Sequence, residues 1–480
     1  MKVLFATSEA HPLAKTGGLA DVSGALPAAL RDLGVDARVL MPGYPAALEK
    51  ADDLTRILRI RLPEHGEIGL LQGRFPGDGA PVYFIEHAGY YARKGLYQDA
   101  AAHDWPDNAM RFGLLSQFAA WLAGPGSPLD FKPDVLHCND WQTGLAPAYL
   151  RYEAARPTPT VFTVHNLAYQ GIFPPDVLKK LGLPPESFSI DGVEYYGNIS
   201  FLKAGLYYAS RLTTVSPSYA GEIQTEAFGM GLHGLLAARS QELTGILNGI
   251  DLREWDPAHD PHLPAPYSAD KLDGKLANKR ALQDELGLGP DAHAPLLGMV
   301  SRLTQQKGSD VVVEAVPQLI ELGAQFAVLG SGEIELENAW SRLAAAHPGR
   351  IAVKIGYDEG LAHRIEAGAD IFLMPSRFEP CGLNQMYSQR YGTPPVVHRV
   401  GGLADTVTHA SPENLASGAA TGFVIDRLDR ASLVDAVHRA MLLYRHPRVW
   451  KKLMRSAMAR DFGWAGRAQQ YLDVYEKICP

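Results

Sequence analysis

The chain has 480 residues, enough for two or three domains, and its shares of 46% hydrophobic and 20% charged residues exclude wholesale disorder. A formal net charge of -8 argues against a general affinity for nucleic acid or anionic membrane, and no apolar run reaches the length needed to cross a bilayer. The three cysteines give neither a disulfide framework nor a CxxC metal spacing, so we expect a reducing compartment, the cytoplasm.

The first half of the chain alternates short apolar strands with amphipathic helices, which is typical of a parallel sheet covered on both faces. Its N-terminal run turns polar at Ser8, too soon for the core of a signal peptide, and we interpret it as a buried first strand. The order of strand, glycine turn, helix and strand that follows indicates a Rossmann unit. The predicted strands are 2–8, 37–41, 82–87, 134–138, 160–165 and 211–216, and the predicted helices are 19–33, 108–122, 144–152 and 199–209.

The second half restarts this pattern after a segment rich in Pro, Asp and His, 248–273, which we interpret as a linker and hinge. We therefore predict two Rossmann-like α/β domains, 1–245 and 246–455, that face each other across a cleft. Two apolar helices end the chain, 431–445 and a stretch from 449 to 478 that breaks at Gly463. The predicted strands of this half are 296–301, 325–330, 351–356, 371–375, 395–399 and 422–425.

The pentapeptide Gly-Gly-Leu-Ala-Asp occurs twice, at 17–21 and at 401–405. Each copy follows a strand-like run and opens a helix-like one, and a cation, Lys15 or Arg399, precedes each turn. Two glycines at such a turn let backbone amides approach a ligand with no Cβ in the way, and the helix start adds unpaired N–H groups. This arrangement suits a sugar diphosphate held between two halves of similar design.

Polar residues at the carboxyl ends of the predicted strands are the candidates for a site, because ligands of open α/β sheets bind there. Arg302 and Lys307 share one loop, where a guanidinium fork and a lysine point charge can neutralise a departing diphosphate. Loops of this kind are more often simply solvated, with surface ion pairs. The other strand-end residues are Lys15, Asp21, Asp140, His165, Asn166, Tyr357 and Glu379.

The motif Glu-Pro-Cys-Gly-Leu-Asn at 379–384 is the most distinctive local feature. Proline pushes Glu379 out of the helical conformation. The amides of Gly382, Leu383 and Asn384 then open a helix and can face an anion, so that a carboxylate and an anion nest lie a few residues apart. The alternative is an acidic residue that merely interacts favourably with a helix N-terminus.

Two histidines lie near predicted strand ends. His165 ends an apolar strand and is followed by Asn166, which favours a functional role over the structural role that a lone histidine more often has. His137 and Cys138 suggest a metal site at first sight, but adjacent strand residues point to opposite faces, so we predict no metal. The glycine turn at 330–332 lacks the third glycine of a dinucleotide fingerprint, which disfavours NAD.

Aromatic side chains that can stack on the apolar faces of sugar rings cluster in the first half, although most of them are expected to be core or rim residues. They are Tyr90, Tyr91, Tyr97, Trp105, Trp141 and Tyr169. Tyr357, at a strand end of the second half, can stack on a purine, but a tyrosine there is more often a packing residue.

At these residues the sequence resembles the bacterial glycogen synthases and the plant starch synthases, retaining glucosyltransferases of the two-Rossmann GT-B type. The resemblance covers essentially the whole chain, and the motifs are specific in this combination and order, where one glycine pair would not be. They are Lys-Thr-Gly-Gly-Leu-Ala-Asp-Val at 15–22, Asp-Trp at 140–141, Val-His-Asn at 164–166, Ser-Arg-Leu at 301–303 with Lys-Gly at 307–308, Ser-Arg-Phe-Glu-Pro-Cys-Gly-Leu at 376–383 and Gly-Gly-Leu-Ala-Asp at 401–405.

The resemblance implies roles for the strand-end residues. Arg302 and Lys307 would bind the diphosphate and stabilise it on departure. Glu379 would hold the donor glucose near its C3 and C4 hydroxyls and support developing positive charge. His165 would lie beside the glucose, and Asp140 on its acceptor side. The remaining residues assigned to the nucleotide sugar are Lys15, Gly17, Gly18, Asp21, Asn166, Tyr357 (stacked on adenine), Cys381, Gly382, Leu383 and Asn384, and those assigned to the glucan acceptor are Tyr97 and Trp141.

The chain departs from the family pattern at two positions. Asn384 stands where many bacterial members carry Thr, which leaves the backbone nest intact. Tyr387 stands where related retaining transferases place a second acid, so Glu379 lacks a carboxylate partner there. The family also returns its last helix to the first domain, which we predict for 456–480.

The resemblance implies transfer of glucose from ADP-glucose to the nonreducing 4-hydroxyl of an α-1,4-glucan such as glycogen, with retention of configuration and without a metal or other cofactor. The diphosphate itself would take the acceptor proton, in keeping with a sequence in which no nucleophile–base pair stands out. The alternatives are a related GT-B transferase that uses UDP-glucose or a small acceptor, a non-catalytic glucan-binding protein and a phosphorylase-like enzyme with a lysine-bound pyridoxal cofactor. The preference for ADP rests on the resemblance alone.

Overall fold

A computed structural model describes residues 1–77, 79–101, 103–153 and 157–479, which form two compact units. The first unit comprises Met1–Gly249 and the C-terminal segment that begins at Trp464, and the second comprises Ile250–Gly463. The domain boundaries predicted from the sequence lie after residues 245 and 455. In the structure the chain passes from the first unit to the second after Gly249 and returns to the first after Gly463. The assignment of an acceptor side and a nucleotide side to the two domains stays a prediction. Among the described residues, no helix combines the length and the apolarity that crossing a membrane requires.

The first unit is built on a nine-stranded sheet in the order β12-β11-β7-β6-β1-β2-β5-β4-β3, with a small antiparallel sheet of β8, β10 and β9 beside it. Its strands are β1 Lys2–Ala6, β2 Asp36–Pro42, β3 Asp52–Leu62, β4 Gly66–Arg74, β5 Pro81–Glu86, β6 Val135–Asn139, β7 Thr160–Val164, β8 Ile172–Phe173, β9 Glu194–Tyr195, β10 Asn198–Ser200, β11 Arg211–Thr214 and β12 Leu243–Gly245. Its helices before the second unit are α1 Gly18–Asp32, α2 Pro45–Lys50, α3 Ala88–Tyr91, α4 Asn108–Ala123, α5 Ala146–Glu153, α6 Phe201–Tyr208, α7 Pro217–Glu222 and α8 His233–Ala238.

The parallel strands of this sheet reverse their order between β1 and β6, which are neighbours in the sheet although four strands separate them in the chain. The hairpin of β3 and β4 extends the sheet with antiparallel pairs and was not predicted. β3 is exposed along most of its length and carries Arg56, Arg59 and Arg61. Charged side chains on an edge strand prevent it from pairing with other chains. They also interrupt the apolar pattern by which the other strands were predicted.

The second unit contains a six-stranded, fully parallel sheet in the order β15-β14-β13-β16-β17-β18, which is the Rossmann order 3-2-1-4-5-6. Its strands are β13 Leu296–Val300, β14 Gln325–Gly330, β15 Ile351–Ile355, β16 Ile371–Met374, β17 Pro395–His398 and β18 Phe423–Ile425. Its helices are α9 Asp273–Glu285, α10 Ser309–Glu321, α11 Ile334–Ala346, α12 Glu359–Gly368, α13 Asn384–Arg390, α14 Gly401–Thr406, α15 Pro412–Ser417, α16 Arg430–Tyr444 and α17 Pro447–Met458.

Helices cover both faces of this sheet, so its inner strands are buried on both sides and their sequences are nearly continuous apolar runs. One apolar cluster joins Leu296 and Leu329 to Ile365 of α12. A second joins Phe372 to Leu403 of α14. The two clusters fix β13 and β16 in the middle of the sheet, which positions the loops that follow them.

The last helix, α18 Ala465–Glu476, packs in the first unit against α1. Its Tyr471 and Tyr475 are fully buried there. The preceding helix α17 packs instead on α13 and α16, which keeps the second unit continuous as far as Gly463.

Candidate active site

Open α/β sheets bind ligands in a crevice outside the carboxyl ends of the strands, at the point where the strand order reverses. Each unit carries charged candidate residues at such a point. In the second unit the loop after β13 carries Arg302 and Lys307, and the loop after β16 carries Glu379. In the first unit Lys15 follows β1 and Asp140 follows β6. The topology therefore brings the predicted residues of each unit to one end of one sheet.

The structure brings Lys307 and Glu379 together, with 2.6 Å between the ammonium Nζ and the carboxylate Oε2. Ser376 donates a second hydrogen bond from its hydroxyl to the same oxygen, at 2.9 Å. Glu379 is only 5% exposed, so this ion pair is screened far less than a surface pair. Arg302 on the same loop as Lys307 is exposed and donates from Nη2 to the Gln306 Oε1 at 3.0 Å.

Tyr387, eight residues after Glu379, lies on α13. Its ring stacks on Trp255 with 3.6 Å between the ring centroids, and it is buried. Lys307 is thus the charged partner that the structure gives to Glu379, in place of a second carboxylate.

The loop that follows Glu379 is held against β13. Gly382 adopts a φ of +73°, a left-handed conformation that glycine takes at little cost. Cys381 is buried, Leu383 precedes the first residue of α13, and α13 begins at Asn384. The Asn384 Nδ2 donates to the carbonyl of Val300 at 2.6 Å, which ties the loop to the end of β13. Anion binding by the amides of this loop stays a prediction.

The second Gly-Gly pair packs on the same loop. A Cβ on Gly401 would lie 1.9 Å from the carbonyl oxygen of Glu379, and one on Gly402 would lie 2.1 Å from that of Cys381. The Gly402 N–H donates to the Glu379 carbonyl at 3.1 Å. Glycine is therefore needed here because two loops pack closely against each other. From the sequence, the second Gly-Gly pair had instead been interpreted as a turn that lets a ligand approach the backbone. The first copy is open, because a Cβ on Gly17 would meet no described atom within 4 Å.

We expect Gly402→Ala to lower stability and activity together, because the new methyl group must displace the backbone of Cys381 and with it Glu379. Overpacking of this kind costs about 1–3 kcal/mol. Gly17→Ala is the matched control, and its unfolding free energy should stay within about 0.5 kcal/mol of the wild type because the position is open. Urea unfolding of the two variants checks this, and equal losses of stability would contradict the packing role of Gly402.

Glu9, which the sequence analysis did not select, anchors the first glycine turn. It follows β1, is almost fully buried, and accepts hydrogen bonds from the Thr16 N–H and hydroxyl and, at 3.4 Å, from the Gly17 N–H. Burial raises the pKa of its carboxyl, an effect that the hydrogen bonds from Thr16 oppose. The Tyr97 hydroxyl donates to Glu9 at 3.0 Å and lies 2.7 Å from the Ser8 hydroxyl. The change from apolar to polar residues directly after β1 was used above only to exclude a signal peptide, and the same change could have indicated Glu9.

Lys15 and Asp21 form an ion pair across the same turn, with 2.8 Å between Nζ and Oδ1. α1 begins inside the turn at Gly18. The lysine side chain is about one-third exposed, at 31%, and an ion pair at that exposure contributes little to stability.

Trp141 belongs to the core of the first unit. Its ring centroid lies 4.9 Å from that of Phe112 and 5.8 Å from that of Phe173. Gly171 packs against the ring so closely that a Cβ there would lie 2.4 Å from it. Because packing occupies so much of the ring, a contact of Trp141 with a glucan acceptor stays a prediction.

Asp140 and His165 end the neighbouring strands β6 and β7 and are hydrogen-bonded. The Asp140 Oδ1 accepts from the main-chain N–H of His165 at 2.7 Å. Asp140 has a φ of +55° and a ψ of -178°, a positive-φ conformation that costs a non-glycine residue on the order of 1–3 kcal/mol. Burial raises the pKa of its carboxyl to about 7, against the lowering effect of the amides of His165 and Asn166. A carboxyl pKa raised this far by burial is typical of groups at functional sites.

The His165 ring is buried, and burial lowers its pKa to about 3. Its Nε2 lies 2.9 Å from the Asn139 Oδ1, to which the neutral ring donates. The ring is therefore uncharged at neutral pH and cannot act as a cation beside a phosphate. The Asn166 Oδ1 accepts from the Ala168 N–H at 3.0 Å, which shapes the turn after β7.

His137 fills a structural position. Its Nδ1 lies 2.7 Å from the Tyr475 hydroxyl of α18, and its Nε2 lies 2.6 Å from the Thr163 hydroxyl of β7. Both ring nitrogens are thus engaged in hydrogen bonds that join α18 to the sheet.

We expect His137 to make the protein less stable in acid. Burial lowers its pKa from the usual 6.5 to about 3, so the unfolded chain binds a proton that the folded chain does not between these values. The contribution of the neutral His137 to the free energy of unfolding is fully present above pH 6.5 and is lost as the pH falls toward 3. At pH 5 the free energy of unfolding is lower by roughly 2 kcal/mol for this reason. Urea midpoints at pH 7.5 and pH 5 should show a smaller difference for His137→Gln than for the wild type. Asp140 and His165 are present in both proteins, so their contributions to the pH dependence cancel in this comparison. An unchanged difference would contradict the neutral, buried state of His137.

Tyr357 follows β15 and is 74% exposed, with its hydroxyl hydrogen-bonded to the Glu359 carboxylate. Its position at a strand end of the second unit agrees with the sequence analysis, and stacking on adenine stays a prediction.

Two protein-family models match the chain. The starch synthase catalytic domain matches residues 2–238, and the glycosyl transferases group 1 domain matches residues 294–442. Among curated proteins, the chain is similar to the glycogen synthase of Aromatoleum aromaticum, with 55% identity over 478 residues, 99% of this chain and 96% of that protein. It is 52% identical over 480 residues to the glycogen synthase of Nitrosospira multiformis, which covers 99% of this chain and 97% of that one.

Among solved structures, the catalytic domain of starch synthase IV from Arabidopsis thaliana, bound to ADP and acarbose, is similar with a TM-score of 0.90 and 32% identity, covering 100% of this chain and 99% of that one. A sucrose-phosphate synthase from Thermosynechococcus elongatus is similar with a TM-score of 0.60 and 18% identity, covering 99% of this chain and 98% of that one. The second likeness shows a shared fold alone.

Proposed function

The chain belongs to the family of the bacterial glycogen synthases and plant starch synthases, and from this premise we propose that it transfers glucose from ADP-glucose to the nonreducing 4-hydroxyl of an α-1,4-glucan. The configuration at the glucose C1 is retained. The observation that carries the proposal is the buried cluster of Lys307, Glu379 and Ser376 at the point where the strand order of the second unit reverses. A carboxylate that can hold a sugar and a cation that can neutralise a diphosphate lie there in contact.

In the proposed reaction, the bond between the glucose C1 and the diphosphate oxygen breaks while C1 bonds to the acceptor oxygen on the same face. The acceptor proton passes to the departing diphosphate, so no side chain becomes a covalent nucleophile. Arg302 and Lys307 take up the negative charge that develops on the diphosphate. An ammonium group has three N–H donors, so Lys307 can serve the diphosphate without leaving Glu379.

Glu379 holds the glucose through its C3 and C4 hydroxyls and supports the positive charge that develops at C1. Its contact with Ser376 keeps the carboxylate oriented before the sugar arrives, and a preoriented charge costs no rearrangement during the reaction. The proposal needs no metal and no other cofactor, because lysine and arginine neutralise the leaving group.

The proposal also assigns roles to residues of the first unit. Lys15 binds the nucleotide sugar from the glycine turn that Glu9 anchors. His165 positions the glucose as a neutral group, consistent with a pKa of about 3. Asp140 acts on the acceptor side. The three cysteines of the described chain are free thiols, which supports our placement of the protein in the cytoplasm.

The test is incorporation of labelled glucose into glycogen by the purified protein, with ADP-glucose and UDP-glucose compared at equal concentrations. We expect ADP-glucose to be preferred by about tenfold or more, which corresponds to about 1.4 kcal/mol. An exo-acting hydrolase specific for α-1,4 linkages should release the incorporated label. Incorporation from UDP-glucose alone, or only into a small acceptor, would support the related transferase instead, and binding of glycogen without incorporation would support a glucan-binding protein.

A further inference from the structure

A second cluster of chemically active side chains lies in the second unit, outside the residues assigned above. It joins Glu254, in the segment that opens this unit, to Glu359 and His363 of α12. Glu359 and His363 are four residues apart on one helix and therefore project from the same face. One carboxylate oxygen of each glutamate and one nitrogen of the histidine all lie within 4.8 Å of one another.

The histidine of this cluster is oriented by a buried carboxylate. The His363 Nδ1 lies 2.7 Å from the Asp260 Oδ2, and both side chains are almost completely buried. The same carboxylate oxygen accepts a hydrogen bond from the Tyr391 hydroxyl at 2.5 Å. These contacts make Nδ1 the protonated nitrogen and leave the lone pair on Nε2.

The Nε2 of His363 is buried and has no hydrogen-bond partner among the residues that the structure describes. A buried polar atom without a partner costs free energy, so such an atom calls for an explanation. Trp255 stacks on the ring with 3.9 Å between the centroids and holds it in place. A histidine that binds a metal through one ring nitrogen usually donates the N–H of the other to a carboxylate. The Nδ1–H of His363 is held in this way, and its Nε2 is the nitrogen that can bind a metal.

We propose that Glu254, Glu359 and His363 bind a divalent transition-metal cation of the Zn²⁺ class, with Asp260 as the positioning residue of the histidine. Imidazole together with two carboxylates suits Zn²⁺ and its neighbours better than Mg²⁺, which prefers oxygen ligands and retains its water. Three protein ligands leave a position for water. The cation links the segment that opens the second unit to α12, and it takes no part in the glucose transfer proposed above.

The experiment uses the full chain without a histidine tag, freed of metal by EDTA and dialysed, then titrated with ZnCl₂ in a calorimeter and with CoCl₂ in a spectrometer. We expect one strong site per chain and a visible Co²⁺ band stronger than that of the aqua ion, which reports a low coordination number. Glu254→Gln and Glu359→Gln should each weaken Zn²⁺ binding by at least about tenfold to a hundredfold, because loss of a residue that only supports a metal ligand already costs that much. Both changes are at half-buried carboxylates, so the variants should fold, which their urea midpoints will show.

Asp99→Asn is the matched control, because Asp99 and His103 form an exposed carboxylate–histidine pair, with 3.7 Å between Oδ2 and Nδ1, in the first unit. It should leave the strong site unchanged. Binding that neither glutamine variant weakens, or that Asp99→Asn weakens as much, would overturn the proposal. Equal competition by millimolar Mg²⁺ would overturn the assignment of His363 as a ligand. Because the readout is metal binding, failure here leaves the glucosyltransferase proposal untouched.

Discussion

Glu379→Gln is expected to lower kcat by about 10³-fold, at the upper end of the effect of removing one preorganised charged or polar group from a transition state. The glutamine keeps the shape of the side chain and can still accept the hydrogen bond from Ser376. It cannot supply the negative charge that supports the developing positive charge at C1. The measurement is glucose incorporation from ADP-glucose into glycogen at saturating donor.

The control for this variant is Glu335→Gln, at an exposed carboxylate in the first turn of α11, and it should keep wild-type activity. The KM for ADP-glucose should change far less than kcat, because the lost interaction is stronger in the transition state than in the ground state. A variant that folds and retains most of its turnover would remove Glu379 from the proposed mechanism.

The parallel core could be predicted from the sequence because burial on both faces leaves apolar runs. β7 Thr160–Val164 and β14 Gln325–Gly330 are of this kind, and their predicted limits agree with the structure to within one residue. β3 Asp52–Leu62 could not, because it lies at an edge and its arginines break the apolar pattern. The prediction of an α/β glycosyltransferase of the GT-B type is confirmed by the family and structural matches.

The candidate site was predictable where it depends on topology, since strand ends can be located without knowing any tertiary contact. Arg302, Lys307 and Glu379 are such residues. The sequence could not show that Lys307 and Glu379 are in contact, because 72 positions separate them. The same holds for His363 and Asp260, which are 103 positions apart and whose pairing depends on the packing of the segment after Ile250. The packing role of Gly402 could not be predicted either, because Cys381, which it contacts, lies on a different loop.

Lys307→Gln should lower kcat by about 10²–10³-fold and weaken ADP binding, because the amide cannot take up the charge of the departing diphosphate. It should also destabilise the fold, since removal of one member of a buried ion pair leaves the other charge uncompensated, at about 3–5 kcal/mol in a fully buried site and less here, where the lysine side chain is 16% exposed. Lys451→Gln, at an exposed position of α17, is the control and should change neither property.

The double variant Lys307→Gln with Glu379→Gln separates the structural role of this pair from its chemical role. Two neutral amides of similar shape leave no buried charge unpaired, so the unfolding free energy should return toward the wild-type value. Activity should stay as low as in the less active of the two single variants. Both the negative charge of Glu379 and the positive charge of Lys307 are gone. Urea unfolding and glucose incorporation on the same preparations measure the two effects. If activity returned together with stability, the pair would serve the fold alone, and the cation that neutralises the diphosphate would have to be sought at Arg302 or Lys15.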